Sequence, residues 1–211
     1  MILALDGPAG VGKSTIARKI AEKASLFYVN SGNFYRAITL EIIKAELLVS
    51  DIDKIVMIAA KTKFSIKNGD LYVNNENVEN YLHSDLIDNL VAQVSSIIKV
   101  REFVNTSIRE ISKAMDIIVE GRDITTVVFP NADLKIYLDA SVSTRAGRRF
   151  NQGVSNLTLK EIEQGIQARD EIDKSKPEGS LKISNDALYL DTSDLTIDEV
   201  CEKVLQKLST M

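Results

Sequence analysis

Short apolar runs alternate along the chain with longer stretches of helical period. Residues 2–5, 27–29, 117–120, 134–138 and 187–190 are compact runs dominated by aliphatic and aromatic side chains, and each has the length of a buried strand. The intervening segments carry apolar residues at three- and four-residue spacing, and that order predicts an α/β fold with a doubly wound parallel sheet. Helix starts are signposted by Thr158 with Glu161 and by Thr196 with Glu199, two capping boxes. Residues 62–79 break the rhythm. There FSI and LYV flank Asn68, Gly69 and Asp70, which predicts a small antiparallel β-hairpin inserted into the α/β frame. Helical patterns at 51–61 and 85–97 enclose the hairpin, so residues 37–100 read as an inserted lobe and 150–181, polar and ending in KSKPEGS, as a short helical lid. The remaining segments, 1–36, 101–149 and 182–211, form the core of a single domain spanning 1–211.

The junction between the first apolar run and the first helical stretch, Ser14–Ala24, reads GPAGVGKS. Gly7, Pro8, Ala9, Gly10, Val11, Gly12, Lys13 and Ser14 complete the Gly-x-x-x-x-Gly-Lys-Ser pattern, in the strand-to-helix setting that gives it chemical meaning. Glycines at 7, 10 and 12 let backbone N–H groups turn inward on a polyphosphate, at the positive end of the following helix. Lys13 then supplies a point charge for the outer phosphates and Ser14 a hydroxyl ligand for Mg²⁺, with Thr15 beside it.

Composition removes several classes of function. The 211 residues carry 26 basic and 30 acidic side chains, a formal charge of −4, which disfavours nucleic acid as the main partner. A single cysteine, Cys201, in a helical pattern rules out a disulfide framework, and the one histidine, His83, has no metal-spaced neighbours. The chain passes from Met1 directly into the first apolar run, leaving no room for a signal peptide, and no apolar stretch has membrane-spanning length. A cytoplasmic protein without a membrane partner is expected, and the glycosylation-like matches at Asn105 and Asn156 carry no meaning there.

Four further clusters carry candidate chemistry. SGNFYR, residues 31–36, follows the second strand at the edge where ligands of open sheets bind; Arg36 can clamp a second phosphate there, or stand as a solvated helix arginine. EGRD, residues 120–123, ends the strand of 117–119, so Glu120 can hold a Mg²⁺-bound water, with Arg122 and Asp123 beyond it. Arg101 on a helix reads by itself as a surface charge. Arg145, Arg148 and Arg149 can neutralise a transferring phosphoryl group when the lid closes, or form a solvated helix face.

Taken together these pieces resemble the cytidylate kinase family of the phosphate-loop nucleoside monophosphate kinases. The matching segments span nearly the whole chain: SGNFYR at 31–36, KVR at 99–101, GRDITTVVFPNADLKIYLDAS at 121–141, RAGRR at 145–149, RDEID at 169–173 and DALYLDTS at 186–193. The resemblance implies a three-layer α/β/α P-loop fold with five parallel strands, an enlarged monophosphate-binding lobe and a short lid. It implies Mg²⁺-dependent transfer of a phosphoryl group from ATP to CMP or dCMP by a monomer. Carried onto this chain, it places Ser31, Arg101 and Asp123 at the cytosine, Arg36 and Arg122 at the acceptor phosphate, and Arg169 with Asp173 at the ribose. Lys176 also reaches the acceptor, while Arg145 and Arg148 serve ATP and Arg149 the transferring group. Arg169 and Asp173 are four residues apart, so an intrahelical salt bridge is the competing reading of that pair.

The chain departs from the family pattern at several positions. Ala92 stands for a common serine, Lys176 for an arginine, Thr125 for a glycine, Asn33 for an alanine and His83 for an arginine. A kinase for another small acceptor such as UMP is the rival within the class. A guanine-nucleotide switch is the rival outside it, and it lacks an Asn-Lys-x-Asp base-reading motif.

Overall fold

The structure, a computed structural model, describes residues 1–67, 69–153 and 157–210. Five parallel strands form the main sheet: β1 (Ile2–Asp6), β2 (Phe27–Asn30), β6 (Ile117–Gly121), β7 (Leu134–Asp139) and β8 (Leu188–Asp191). Their order is β2-β6-β1-β7-β8. Central β1 is flanked by β6 in the register Leu3↔Ile118 and by β7 in the register Leu5↔Ile136. A central strand is covered on both faces, which is why β1 reads as an unbroken apolar run rather than an alternating one. Leu3, Ala4 and Leu5 have no exposed surface.

Helices α1 (Lys13–Ala24), α6 (Val142–Asn151), α7 (Leu159–Ser175) and α8 (Ile197–Ser209) accompany the sheet. Ile16, Ile20 and Ala21 of α1 share a core with Ile118, Ile136, Val200 and Val204, so α1 and α8 pack together over the central strands. Both expected capping boxes form, at Thr158 with Glu161 and at Thr196 with Glu199. A π-helical turn, Ile124–Val128, follows β6 and was not legible in the sequence. Its bonds are Val128 N–H to Asp123 C=O at 3.1 Å and Phe129 N–H to Ile124 C=O at 2.7 Å.

The chain divides into two compact units, residues 1–28 with 116–211, and residues 29–115, with one boundary inside β2. The second unit contains α2 (Ser31–Lys44), α3 (Ile52–Lys61), α4 (Asp85–Val94) and α5 (Ile98–Ser112) around a small antiparallel sheet. That sheet has three strands where two were expected: β3 (Phe64–Lys67), β4 (Asp70–Val73) and the two-residue β5 (Glu76–Asn77). The expected hairpin is present, with Phe64 opposite Val73 and Lys67 opposite Asp70, although its turn residue Asn68 lies outside the described residues. The extra strand returns through Asn74 and Asn75, both at positive φ of 50° and 73°. Asparagine tolerates that conformation, so an Asn-Asn pair makes a tight hairpin without glycine. Phe34 of α2 packs its ring on Phe64 of β3 with centroids 4.8 Å apart. Asn156 also lies outside the described residues.

Ile20 is fully buried and Thr196 donates no core contact, only the cap of α8. Ile20→Ala is expected to lower the unfolding free energy by about 2–5 kcal/mol, and Thr196→Ala by about 1 kcal/mol, read from urea midpoints at constant slope.

Candidate functional site

Parallel strands bring their carboxyl ends to one edge of the sheet. β1 ends in Asp6 and continues into the phosphate loop, β6 ends in Gly121 and continues into Arg122 and Asp123, and β7 ends in Asp139 just before α6. Gly7 approaches the end of β7 so closely that an added Cβ would lie 2.3 Å from the Leu138 carbonyl oxygen. Gly12 caps α1 at φ 96°, a left-handed conformation that glycine adopts without strain.

Lys13, at the first position of α1, is 7% exposed and donates to the carbonyls of Gly7 and Pro8 at 2.9 and 2.8 Å. Burial pushes its ammonium down to about 7, with Arg122 adding repulsion, while Glu120, Asp6 and Asp173 oppose the shift. Arg122, Glu120, Asp6 and Asp173 therefore all lie within electrostatic reach of Lys13. Ser14 is exposed at the same helix start. The Tyr28 hydroxyl donates to Glu120 and is also hydrogen-bonded to the Ser14 side chain; burial and then the Glu120 charge push the phenol up. One phenol thus holds a hydroxyl and a buried carboxylate, two hard oxygen donors that suit Mg²⁺ bound through substrate phosphates.

Arg122 donates from Nε to Asp173 Oδ2 at 2.8 Å. Asp173, on α7, is 1% exposed and also meets Lys176 Nζ at 2.9 Å and Arg169 at 3.6 Å. Burial would raise the Asp173 carboxyl, yet Arg122 and Lys176 outweigh it and hold it at about 2. The four-residue spacing of Arg169 and Asp173 does form an ion pair on α7, and Arg169 itself is exposed. Asp123, beside Arg122, is buried at 6% exposure.

The arginines of α6 differ from one another. Arg145 is buried and donates to Ala140 C=O at 2.9 Å, to Ala9 C=O of the phosphate loop at 3.0 Å and to Asp170 of α7 at 2.7 Å. Arg148 reaches the Val11 carbonyl at 3.4 Å and the Thr192 hydroxyl and carbonyl at 3.1 and 2.5 Å. Arg149 is exposed. Arg145 and Arg148 accordingly hold the phosphate loop through the carbonyls of Ala9 and Val11.

In the second unit Ser31 is buried at the start of α2, behind Asn30, whose side chain accepts from Gly32 N–H. Arg36 donates to the Leu82 carbonyl at 3.0 Å and pairs with Asp88 at 2.6 Å. Arg101 is 7% exposed, bonded to the Ser95 carbonyl at 3.1 Å, with its guanidinium 5.6 Å from the Tyr35 ring centre. The sequence alone made Arg101 a surface charge, and its burial corrects that. Ala92 and His83 are exposed.

Sequence reasoning missed Asp6 and Asp170. Asp6 is fully buried, accepts from Ile124 N–H at 3.0 Å and from Thr125 N–H and Oγ1 at 2.8 and 2.7 Å, and burial lifts its carboxyl to about 6. The signal was an ionisable residue ending a strand that is otherwise apolar. Asp170 sits inside RDEID, where its neighbours drew the attention.

Among solved structures, the fold is similar to that of a shikimate kinase from Bacteroides thetaiotaomicron, with TM-score 0.52 at 11% identity over 99% of this chain and 98% of that one. A shikimate kinase from Acinetobacter baumannii gives TM-score 0.50 at 16% identity over 99% and 93%. At that identity the likeness defines the fold alone, that of a phosphate-loop α/β kinase. Sequence goes further. The cytidylate kinase family model matches residues 3–210. The cytidylate kinase of Borreliella burgdorferi (strain ZS7) is 42% identical over 99% of this chain and 97% of its own length. That of Borrelia turicatae (strain 91E135) is 43% identical over 98% and 95%. The chain belongs to the cytidylate kinase family.

Lys13 generates a pH prediction. With its ordinary value lowered to about 7, it is largely neutral at pH 8, and a bound polyphosphate restores the charge. ATP binding at pH 8 is therefore expected to take up about one proton, and affinity to rise as pH falls toward about 7 and then level off. Calorimetry in buffers of different ionisation enthalpy reads the uptake; Lys13→Met removes it, and buffer-independent heats in the wild type contradict it.

Proposed function

We propose that this chain transfers the γ-phosphoryl group of ATP to CMP and dCMP, giving CDP and dCDP with ADP. The observation that carries the reading is the match of the cytidylate kinase model to residues 3–210, on a chain that folds GPAGVGKS into a strand-to-helix loop with a buried lysine. An acceptor phosphate oxygen forms the new bond to the γ phosphorus as the bond to the bridging oxygen breaks, and ADP carries that electron pair away. The attacking oxygen is already ionised at neutral pH, so no general base is needed, and the protein's work is alignment and charge neutralisation.

The donor side takes Gly7 to Thr15, with Lys13 on the outer phosphates and the rim held by Arg145 and Arg148. Arg149, exposed on α6, is assigned to the transferring group. Ser14 and, through a water, Glu120 would hold Mg²⁺, which would supply Lewis-acid neutralisation of the phosphate oxygens. Arg36 and Arg122 are assigned to the acceptor phosphate, with Arg169, Asp173 and Lys176 on the sugar side. For Asp173 to accept from a ribose hydroxyl, its bonds to Arg122 and Lys176 have to be shared. Ser31, Arg101 and Asp123 are assigned to the base. A carboxylate accepts from cytosine's exocyclic amine, whereas uracil presents an acceptor at that place. The insertion of 37–100 is assigned to monophosphate binding and 150–181 to the lid. The enzyme acts as a cytoplasmic monomer; among the described residues no helix is long and apolar enough to cross a membrane.

A coupled assay of ATP with CMP, dCMP, UMP, AMP and GMP tests the acceptor. CMP and dCMP are expected to lead, and faster turnover of any other acceptor overturns the assignment. Asp123→Ala is expected to lower kcat/KM for CMP by about 1–3 kcal/mol in transition-state terms while ATP affinity holds. Equal weakening of both nucleotides moves Asp123 into the core.

A further inference from the structure

Asp6 is an expensive residue to keep. It ends the central strand with no exposed surface, beside the Asp123 carboxylate and within the field of Lys13 and Tyr137. A buried carboxylate persists only where donors satisfy it. All three donors recorded for Asp6 come from one place, the first two residues after Asp123: Ile124 N–H on Oδ1, and Thr125 N–H and hydroxyl on Oδ2. These residues open the π-helical turn, whose later N–H groups, Val127 and Val128, close on the Asp123 carbonyl. Single π turns are rare and are found frequently at functional sites.

We infer that Asp6 is a positioning residue for the acceptor side of the reaction: its carboxylate ties the turn behind Arg122 and Asp123 to the strand that carries the phosphate loop. The inference rests on the assignment of Arg122 and Asp123 to the acceptor. The donor side has independent support, because Lys13 bonds the Gly7 and Pro8 carbonyls and Arg145 and Arg148 bond those of Ala9 and Val11. Loosening the Asp6 link therefore displaces the turn and Asp123 before it displaces the loop, while Arg122 keeps its bond to Asp173. Thr125 matters through its hydroxyl, a third donor that a glycine would not supply.

Thr125→Val removes that hydroxyl at nearly constant volume, and Thr125→Ser retains it. The valine variant is expected to raise the KM for CMP about fivefold, the equivalent of one hydrogen bond, with ATP affinity by calorimetry unchanged within about twofold and the serine variant near wild type. Asp6→Asn is expected to do more, and in its background Thr125→Val is expected to add little, since the two residues share one interaction. Equal effects of valine and serine, additive effects of Thr125→Val and Asp6→Asn, or a loss of thermal stability with both substrate constants unchanged each overturn the inference. If Asp6→Asn does not fold, the Thr125 pair decides alone. Absence of CMP turnover in the wild type defeats the acceptor assignment instead, and the Asp6 carboxyl resonance followed by ¹³C NMR in Thr125→Val and Thr125→Ser still decides whether the hydroxyl holds that carboxylate.

Discussion

A site that gathers cations in the interior of a protein has to solvate them with its own atoms, and most of the architecture around this phosphate loop answers to that constraint. An ammonium or guanidinium withdrawn from water loses several kcal/mol of hydration unless carbonyls or carboxylates replace it. Lys13 is met by two carbonyls of its own loop, Arg145 by two carbonyls and Asp170, Arg148 by Val11 and Thr192, and Arg122 by Asp173. Each of these partners fixes a piece of chain. Arg145 links the loop, the end of β7 and helix α7, so satisfying one buried guanidinium joins three pieces of chain.

The same constraint explains why the carboxylates are as buried as the cations. Asp173 is 1% exposed and Glu120 3%, and both lie among the groups that set the charge state of Lys13. Removing one partner would leave the other charge uncompensated, which is more damaging than the net value of the pair. The buried pairs around the loop therefore matter more to its geometry than exposed pairs such as Lys99 with Glu102 matter to theirs.

The inner strands β1, β6 and β7 were readable because strands buried on both faces lose polar alternation, and the partly exposed edge strands β2 and β8 were readable as short apolar runs between helical stretches; the five runs coincide with five observed strands to within a residue or two. The caps were readable because Thr-x-x-Glu carries its own mechanism. What could not be read has physical reasons as well. β5 is two polar residues long and exists because Asn74 and Asn75 accept left-handed backbone, a choice that composition does not advertise. The π turn depends on Asp6, more than a hundred residues away in sequence, and no local propensity encodes it. Arg101 looked like a surface charge because a lone arginine on a helix is seldom buried, while its burial goes with its contacts to Tyr35 and Ser95. The phosphate loop was legible in full since its backbone geometry is written by glycine positions; that Arg145 and Arg148 of α6 bond its carbonyls, with Asp170 of α7 behind Arg145, could not be read from the sequence.

Three of the five departures from the family pattern, at positions 33, 125 and 176, acquire local explanations in the structure, and nothing in it explains Ala92 or His83. Asn33, where alanine is usual, donates to Glu79, whose other oxygen accepts from Leu71 N–H, so the amide joins α2 to the small sheet. Thr125, where glycine is usual, adds a hydroxyl donor to a buried carboxylate that already has two amide donors. Lys176, where arginine is usual, gives up a planar fork for a point charge. That exchange is tolerable here because Arg122 already serves Asp173 Oδ2, and the remaining Oδ1 asks for a single donor, which an ammonium supplies at 2.9 Å. Asn33 and Thr125 thus add side-chain donors to carboxylates where the usual residue has none to give, and Lys176 keeps the single donor that Asp173 Oδ1 needs.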